Sequence, residues 1–259
     1  MKFGISSSIY EAKFRDLAKK SKELDKLYLE YIDSIVNFAL KHKLKIIEIS
    51  GLLNNISEIL PPLVGEIKKR IKTFEEVSFH LPVNFRPIEE TKTSISAAKQ
   101  LGAKVIVYHP DYEISPFKTE EERREKILEL VSFCESHGLM LCLENLPLEN
   151  KNFHKPEEFD FYIEKGAFLT LDTGHAVICS IDPIEFLDRF GNKVRNIHLQ
   201  SGIRGAPDIH YALGNGDFDY LNFFKKLKEI KYDGLLILEL LSEKTALDSL
   251  NQLKFMQLI

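Results

Sequence analysis

The chain has 259 residues, of which 44% are hydrophobic and 29% charged, and its formal net charge is −4. This composition is typical of a globular protein, and the negative charge excludes a general electrostatic attraction to nucleic acid, although a local basic patch stays open. The three cysteines form no Cys-x-x-Cys pair and indicate reduced thiols in a cytoplasmic protein. We find no signal peptide and no run of the roughly 18 apolar residues that a membrane span needs, so we expect no membrane partner.

Short apolar segments alternate with longer amphipathic segments along the chain. Their nearly continuous Val, Ile, Leu and Phe content is typical of strands buried on both faces of a parallel sheet. The predicted strands are KFGIS (2–6), KIIEIS (45–50), EVSFHL (76–81), KVIVYHP (104–110), LMLCLEN (139–145), FLTLD (168–172), VRNIHL (194–199) and GLLILEL (234–240).

Each predicted strand is followed by a segment with apolar residues at helical spacing. The second of these opens with Pro61 and Pro62, which a first helical turn tolerates. Gly102 and Gly138 end the next two, and Thr119 begins the latter with a capping-box pattern. The predicted helical segments are 21–43, 61–72, 88–102, 119–138, 155–166, 182–191, 217–230 and 242–257.

Eight strand–helix pairs in a chain of this length predict an α/β fold, a single (β/α)8 TIM barrel in one domain over residues 1–259. The alternative is an open, doubly wound sheet, which usually has a glycine-rich phosphate turn after its first strand. The sequence after the first strand here, GISSSIYEAKF, is not such a turn.

Polar residues follow the apolar part of most predicted strands. In (β/α)8 barrels the active site lies at this end of the strands, so these side chains are expected to meet at one rim. Five of the eight histidines are among them. The set comprises His80, His109, Glu144, Asp172, His175, His198, Asp208, His210 and Glu239.

A metal centre is the interpretation that best explains this set. A single histidine or glutamate at a strand end is usually only a hydrogen-bonded polar residue. For Glu48 at the end of the second strand, substrate binding and a structural hydrogen bond are both open. Several unpaired charges after apolar strands would be costly, and a divalent cation removes that cost. Imidazole and carboxylate ligands together suit zinc, manganese, iron or cobalt. For His175, a second ion and the substrate are both open.

The order of these motifs resembles the xylose isomerase-like TIM barrel family, which includes sugar-phosphate isomerases, sugar 3-epimerases and endonuclease IV. The resemblance covers the whole chain and depends on HLP, YHP, LEN, LDTGHA, IHL, DIH…LGNGDFDY and LEL, one motif for each strand or its loop.

The epimerase-like branch implies one divalent cation, zinc or manganese, on Glu144, Asp172, His198 and Glu239. The two glutamates would be catalytic, as acid and base on opposite faces of a metal-bound enediolate. His175 and Arg204, six residues after His198, would bind a sugar or sugar phosphate.

The endonuclease IV branch implies three zinc ions and cleavage of abasic DNA. The second ion would lie on His80, His109 and the shared Glu144. The third would lie on His175, Asp208 and His210.

Departures from each branch bear on the choice. The loops SGLLNNIS and HLPVNF lack the Arg, Gln and aromatic cluster that endonuclease IV inserts into DNA, and Val83 replaces its Tyr. Against the epimerases, Asn150 stands where a substrate-binding Glu is expected. Because DNA cleavage needs residues that hold and distort a polyanion, we favour the isomerase or epimerase and keep the phosphodiesterase as the alternative. A related dehydratase and a metal-binding non-enzyme remain open. A homo-oligomer is compatible with the sequence, which does not set the number of protomers.

Overall fold

Eight parallel strands form a closed barrel in the computed structural model, which describes residues 1–51, 56–83, 86–111, 117 and 119–259. Each strand pairs with its neighbours in chain order, and the last pairs with the first, so the predicted (β/α)8 barrel is confirmed. The strands are β1 Lys2–Ser6, β2 Ile46–Ser50, β3 Glu76–His80, β4 Val105–Tyr108, β5 Met140–Glu144, β6 Phe168–Asp172, β7 Val194–Leu199 and β8 Leu235–Leu238.

Helices surround the barrel. They are α1 Glu11–Ala18, α2 Leu24–Lys41, α3 Ile56–Ile71, α4 Ile88–Leu101, α5 Glu120–Ser136, α6 Asp160–Glu164, α7 Thr173–Ile178, α8 Pro183–Phe190, α9 Tyr220–Glu229 and α10 Glu243–Phe255, with 3-10 turns at Ser7–Tyr10, Pro156–Phe159 and Gly191–Lys193. The expected ends hold for α4 and α5: Gly102 has a left-handed φ of 94°, and the Thr119 hydroxyl accepts the Glu122 N–H at 3.1 Å. Among the described residues, no helix is long and apolar enough to cross a bilayer.

Three local expectations were wrong. Helix α3 begins at Ile56, so Pro61 and Pro62 lie inside it, where their missing N–H groups leave two first-turn carbonyls without the usual donor. An additional helix, α1, precedes α2. No helix was predicted between β6 and residue 182, but Thr173–Ile178 form α7.

Side chains along the strands alternate between the barrel interior and the layer beneath the helices. Interior positions form an apolar cluster of Ile46, Val105, Val107, Cys142, Leu235 and Ile237, which we call the inner apolar cluster. Intervening residues such as Ile47, Phe79 and Leu141 belong to the larger core between barrel and helices. Residues two apart in a strand therefore face the same side. Because Cys142 faces the barrel interior, Glu144 does so too, at the mouth of the barrel.

Candidate metal centre

The nine predicted ligand residues lie at the carboxyl end of the barrel and in the loops that follow. We call this set the mouth cluster: His80 from β3, His109 after β4, Glu144 from β5, Asp172 from β6, His175 from α7, His198 from β7, Asp208 and His210 from the loop after β7, and Glu239 after β8. In that set His80, Glu144, Asp172, His175, His198 and Glu239 are buried. Residues far apart in the sequence thus meet because each ends a barrel strand or lies in the helix or loop that follows one.

Glu144 lies at the centre of the mouth cluster. Its Oε2 is 3.2 Å from Nε2 of His80 and 3.4 Å from Nε2 of His109. Its Oε1 is 3.4 Å from Nδ1 of His198 and 3.5 Å from Nδ1 of His175. Both oxygens are buried, and within the described residues neither has an aligned hydrogen-bond donor. A buried carboxylate surrounded by imidazoles but without hydrogen bonds is the arrangement expected of a metal ligand.

Four members of the mouth cluster form a compact ligand set. One ligand atom from each of Glu144, Asp172, His198 and Glu239 lies within 4.8 Å of the other three. Nδ1 of His198 is 2.7 Å from Oε2 of Glu239. With metal–ligand bonds of about 2.1 Å, tetrahedral geometry separates ligand atoms by about 3.4 Å. The set therefore fits a divalent cation after small side-chain shifts, and three carboxylates with one imidazole suit zinc or manganese.

Two further compact groups extend this set. His175 and His210 both point Nε2 at Oδ2 of Asp208, each at 3.1 Å, and the ligand atoms of the three lie within 4.8 Å of one another. A second group with the same spacing joins His80, Glu144 and His198. The expected group of His80, His109 and Glu144 thus differs in one member. His109 contacts Glu144, but the third residue of the compact group is His198.

Three histidines are held with Nε2 towards the cluster. Nδ1 of His80 lies 2.7 Å from the Leu81 carbonyl oxygen, Nδ1 of His175 2.8 Å from that of Asn145, and Nδ1 of His210 3.0 Å from that of Glu239. A carbonyl oxygen only accepts, so each Nδ1 carries the proton. In the neutral imidazole the Nε2 lone pair is then directed at Glu144 or Asp208, as metal binding requires.

Asp172 links strand β6 to helix α7. Its Oδ1 accepts the N–H of His175 at 2.6 Å as an N-cap, and its Oδ2 accepts Nε2–H of Gln200 at 2.9 Å. Asn145 holds the same residue from the other side, accepting the Asp172 N–H at 2.7 Å and donating to its carbonyl at 2.9 Å. The LDTGH motif thus fixes both a carboxylate and an imidazole in the mouth, since the first turn of α7 brings His175 round.

The mouth cluster has strongly shifted pKa values. Burial lowers the pKa of His80 and of His210, but the neighbouring carboxylates, Glu144 and Asp208 respectively, raise it more, to about 9 in each case. Burial raises the pKa of Glu239, but the adjacent His198 charge lowers it more, to about 2. Protons on the imidazoles therefore balance the carboxylates in the protein alone, and a bound cation would have to displace them.

Arg204 lies apart from the mouth cluster. It is exposed, its backbone N–H donates to Oδ2 of Asp217 at 3.0 Å, and it lines a groove of about 430 Å³ with Asp182 and Asn222. The groove is lined by none of the nine cluster residues.

Sequence reasoning missed the residues that support the ligands. Asn145 and Gln200 position Asp172, and Ser78 and Asn196 contact Glu48 deep in the barrel. For Ser78, Asn196 and Gln200 the period of two was the available signal, because each stands two residues from His80 or His198 on the same face. Polar identity alone did not distinguish them from solvated loop residues.

A family model described as xylose isomerase-like TIM barrel matches residues 14–256. The chain belongs to this family. Similar solved structures include a D-tagatose 3-epimerase-like protein, with a TM-score of 0.77 and 23% identity over 98% of this chain and 96% of that one.

Similar family members include proteins with and without a known activity. An uncharacterized protein of Methanocaldococcus jannaschii is 29% identical over 184 residues, which span 64% of this chain and 61% of that protein. An inosose dehydratase of Clostridium beijerinckii is 24% identical over 193 residues, 60% of this chain and 64% of that one. The matched segment thus spans less than two thirds of the length of either relative.

Proposed function

We propose that this chain is a divalent-metal-dependent isomerase or epimerase that acts on a sugar or sugar phosphate. The observation that carries the proposal is the pairing of two buried glutamates in one ligand set. Glu144 and Glu239 approach the same nitrogen, Nδ1 of His198, at 3.4 Å and 2.7 Å from different strands. The similarity to a D-tagatose 3-epimerase-like structure and to an inosose dehydratase supports a sugar-like substrate.

A cation held by Glu144, Asp172, His198 and Glu239 would supply positive charge against the negative charge that develops on a substrate oxygen when the adjacent carbon loses a proton. Contacts with neighbouring histidines hold the pKa of both glutamates below the usual value, although burial acts in the opposite direction. Both are therefore carboxylates at neutral pH. One glutamate would remove the proton from carbon, and the other, once it has taken up a proton from solvent, would return that proton to the same or the neighbouring carbon.

Other residues of the mouth cluster would hold the substrate. His175 is buried at the mouth and directs Nε2 towards Asp208, so we propose that it orients a substrate hydroxyl. Arg204 was expected to assist, and such a contact would require its exposed side chain to reach from the groove to the mouth. The Arg204→Ala variant tests this: a raised KM at constant kcat supports a substrate contact, and unchanged kinetics exclude one.

Solvent-proton exchange tests the proposed chemistry before the natural substrate is known. The purified protein, loaded with zinc or manganese, is incubated in D2O with a panel of ketoses, aldoses and their phosphates. NMR and mass spectrometry should detect deuterium at carbon together with an isomer or epimer. A dehydratase would instead release an unsaturated or keto product that has lost water. Tight binding without exchange or product on every sugar would indicate a binding protein and contradict the proposal.

A trinuclear phosphodiesterase is the second candidate, and one observation favours it. His175, Asp208 and His210 form a compact group, and His80 with His109 contacts Glu144, as a three-zinc centre requires. The loops that would contact DNA lie partly outside the described residues, at 52–55, 84 and 85. Val83, which is described, is exposed.

Metal stoichiometry and DNA cleavage distinguish the two candidates. Mass spectrometry of protein equilibrated with zinc should give about one ion per chain for the epimerase and about three for the phosphodiesterase. Metal-dependent nicking of abasic DNA, together with three ions, would replace our first proposal with the second.

A further inference from the structure

Glu48 is a fully buried carboxylate beneath the mouth cluster. It is the third residue of β2, with none of its surface exposed. Its Oε2 accepts a hydrogen bond from Ser78 Oγ at 3.0 Å and one from Nδ2 of Asn196 at 3.3 Å. Lys and Arg donate to neither of its oxygens within the described residues, so its partners are the hydroxyl, the amide and the imidazole of His198. Burial of a carboxylate is costly unless hydrogen bonds or a charged partner compensate it, so these contacts matter.

Glu48 contacts a member of the compact ligand set. Nε2 of His198, whose ring is also completely buried, lies 3.1 Å from Oε1 of Glu48 and hydrogen-bonds to Oε2 at 3.3 Å. The other ring nitrogen, Nδ1, faces Glu144 and Glu239. One imidazole therefore lies between a carboxylate behind it and the proposed cation site in front.

His198 differs in this respect from three other histidines of the mouth cluster. His80, His175 and His210 each use Nδ1 to bond a neutral main-chain carbonyl oxygen and present Nε2 to the cluster. His198 is reversed, with Nδ1 facing the cluster and Nε2 directed at a charged side chain. A carboxylate acceptor makes the imidazole a stronger ligand than a carbonyl acceptor does. Its negative charge stabilises the positive charge that develops on the ring when the other nitrogen donates its lone pair to a metal.

We propose that Glu48 is a positioning residue that holds the proton of His198 on Nε2 and so directs the Nδ1 lone pair at the cation. The proposal deepens the proposed function, because it presupposes that the mouth cluster binds a cation. A competing arrangement is present in the same contacts: Nδ2 of Asn196 lies 3.1 Å from Nε2 of His198 and could donate to it. In that arrangement the proton would lie on Nδ1, which could then not bind a metal.

Cobalt(II) binding measures the effect of Glu48 without any assay of activity. Glu48→Gln keeps the size and one acceptor oxygen but removes the charge, and Glu48→Ala removes both. We expect affinity for Co(II), measured by competition with a chelator, to fall about 10-fold in Glu48→Gln and up to about 100-fold in Glu48→Ala. The visible absorption of bound Co(II) should shift in both variants. Glu76→Gln, which removes the charge of a partly exposed glutamate in β3 that forms an ion pair with Lys2, is the matched control and should bind Co(II) like the wild type.

The outcomes separate this inference from the proposed function. A wild-type protein that binds no Co(II) would refute the proposed metal-dependent function itself. Wild-type binding with equal affinity and an unchanged spectrum in folded Glu48→Gln would refute only the role of Glu48, whatever that substitution does to stability. If Glu48→Ala does not fold, Glu48→Gln decides.

The protonated nitrogen of His198 can also be observed directly. In zinc-loaded protein with 15N-labelled histidine, long-range 1H–15N spectra distinguish the two tautomers, and His198→Gln assigns the resonance by its disappearance. We expect His198 to carry its proton on Nε2, and His80, His175 and His210 to carry theirs on Nδ1. A proton on Nδ1 of His198 in the zinc-loaded protein would refute the proposal.

Discussion

The two ends of the barrel interior use the same strands for opposite purposes. Towards the amino-terminal end, the inner apolar cluster buries aliphatic side chains whose only requirement is to fill space. At the carboxyl end, the mouth cluster buries carboxylates and imidazoles that the fold alone satisfies poorly, since both Glu144 oxygens lack hydrogen-bond donors among the described residues. The comparison indicates that the amino-terminal (lower) end of the interior stabilises the fold. The carboxyl (upper) end offsets part of that stability, because it holds charged groups close together.

Substitution of Glu239 should produce the largest effect. It should lower turnover without changing the fold. Glu239→Gln keeps the shape of the side chain but removes a base and a ligand. We expect turnover to fall by at least about 10²–10⁴-fold, the usual contribution of a general acid or base. Circular dichroism should remain that of the wild type. Activity within a few-fold of the wild type would remove Glu239 from the mechanism.

Substitution at the lower end should have the reverse signature. Leu235 belongs to the inner apolar cluster, and Leu235→Ala should lower the free energy of unfolding by about 2–5 kcal/mol through the cavity it leaves. Urea denaturation of the chelated protein measures this loss. Metal stoichiometry and affinity should be unchanged at a temperature where the variant is folded, and a change in either would show that the two ends are coupled.

Substitution of Gly174 should affect both stability and metal binding, because this glycine packs against Gln200, which supports the ligand Asp172. A Cβ built there would come 2.5 Å from Cδ of Gln200, which donates to Asp172. Gly174→Ala should therefore displace the Gln200 side chain, lower stability by about 1–3 kcal/mol and weaken metal binding. The double variant Gly174→Ala, Gln200→Ala relieves the clash, and recovery of stability without recovery of affinity would assign the metal effect to Gln200.

The stability of the protein should also depend on pH, and this dependence should differ between metal-free and zinc-loaded protein. The pKa values of His80 and His210 rise from about 6.5 in the unfolded chain to about 9 in the folded protein. This contribution to stability is complete below pH 6.5 and is lost as the pH rises through 9, by at most about 1.4 kcal/mol per pH unit for each histidine. Chelated protein should unfold more easily from pH 6.5 to 9. Excess zinc should flatten this dependence, because the cation replaces the protons, and the same slope with and without zinc would contradict the assignment.

The sequence predicted the barrel and the membership of the mouth cluster because both depend on where apolar runs stop. Glu144 and Asp172 each terminate an almost wholly apolar strand, and strand ends converge in any closed parallel barrel. The sequence could not predict the true start of α3 at Ile56, or α1, because proline and loop signals do not reveal which tertiary contacts extend a helix. It also left Glu48 undecided between substrate and structure, because only the three-dimensional contact with His198 distinguishes a supporting carboxylate from a reactive one.

Each member of the compact ligand set ends or directly follows a different β-strand, from β5 round to β8. Under the proposed function, cation binding would therefore depend on closure of the barrel, because separation of β8 from β1 and β7 would move Glu239 away from the other three ligands. An ion at this position would connect the last strand to the strands that provide the other three ligands. Release of the ion under mild denaturant should therefore accompany the separation of β8 from its neighbouring strands.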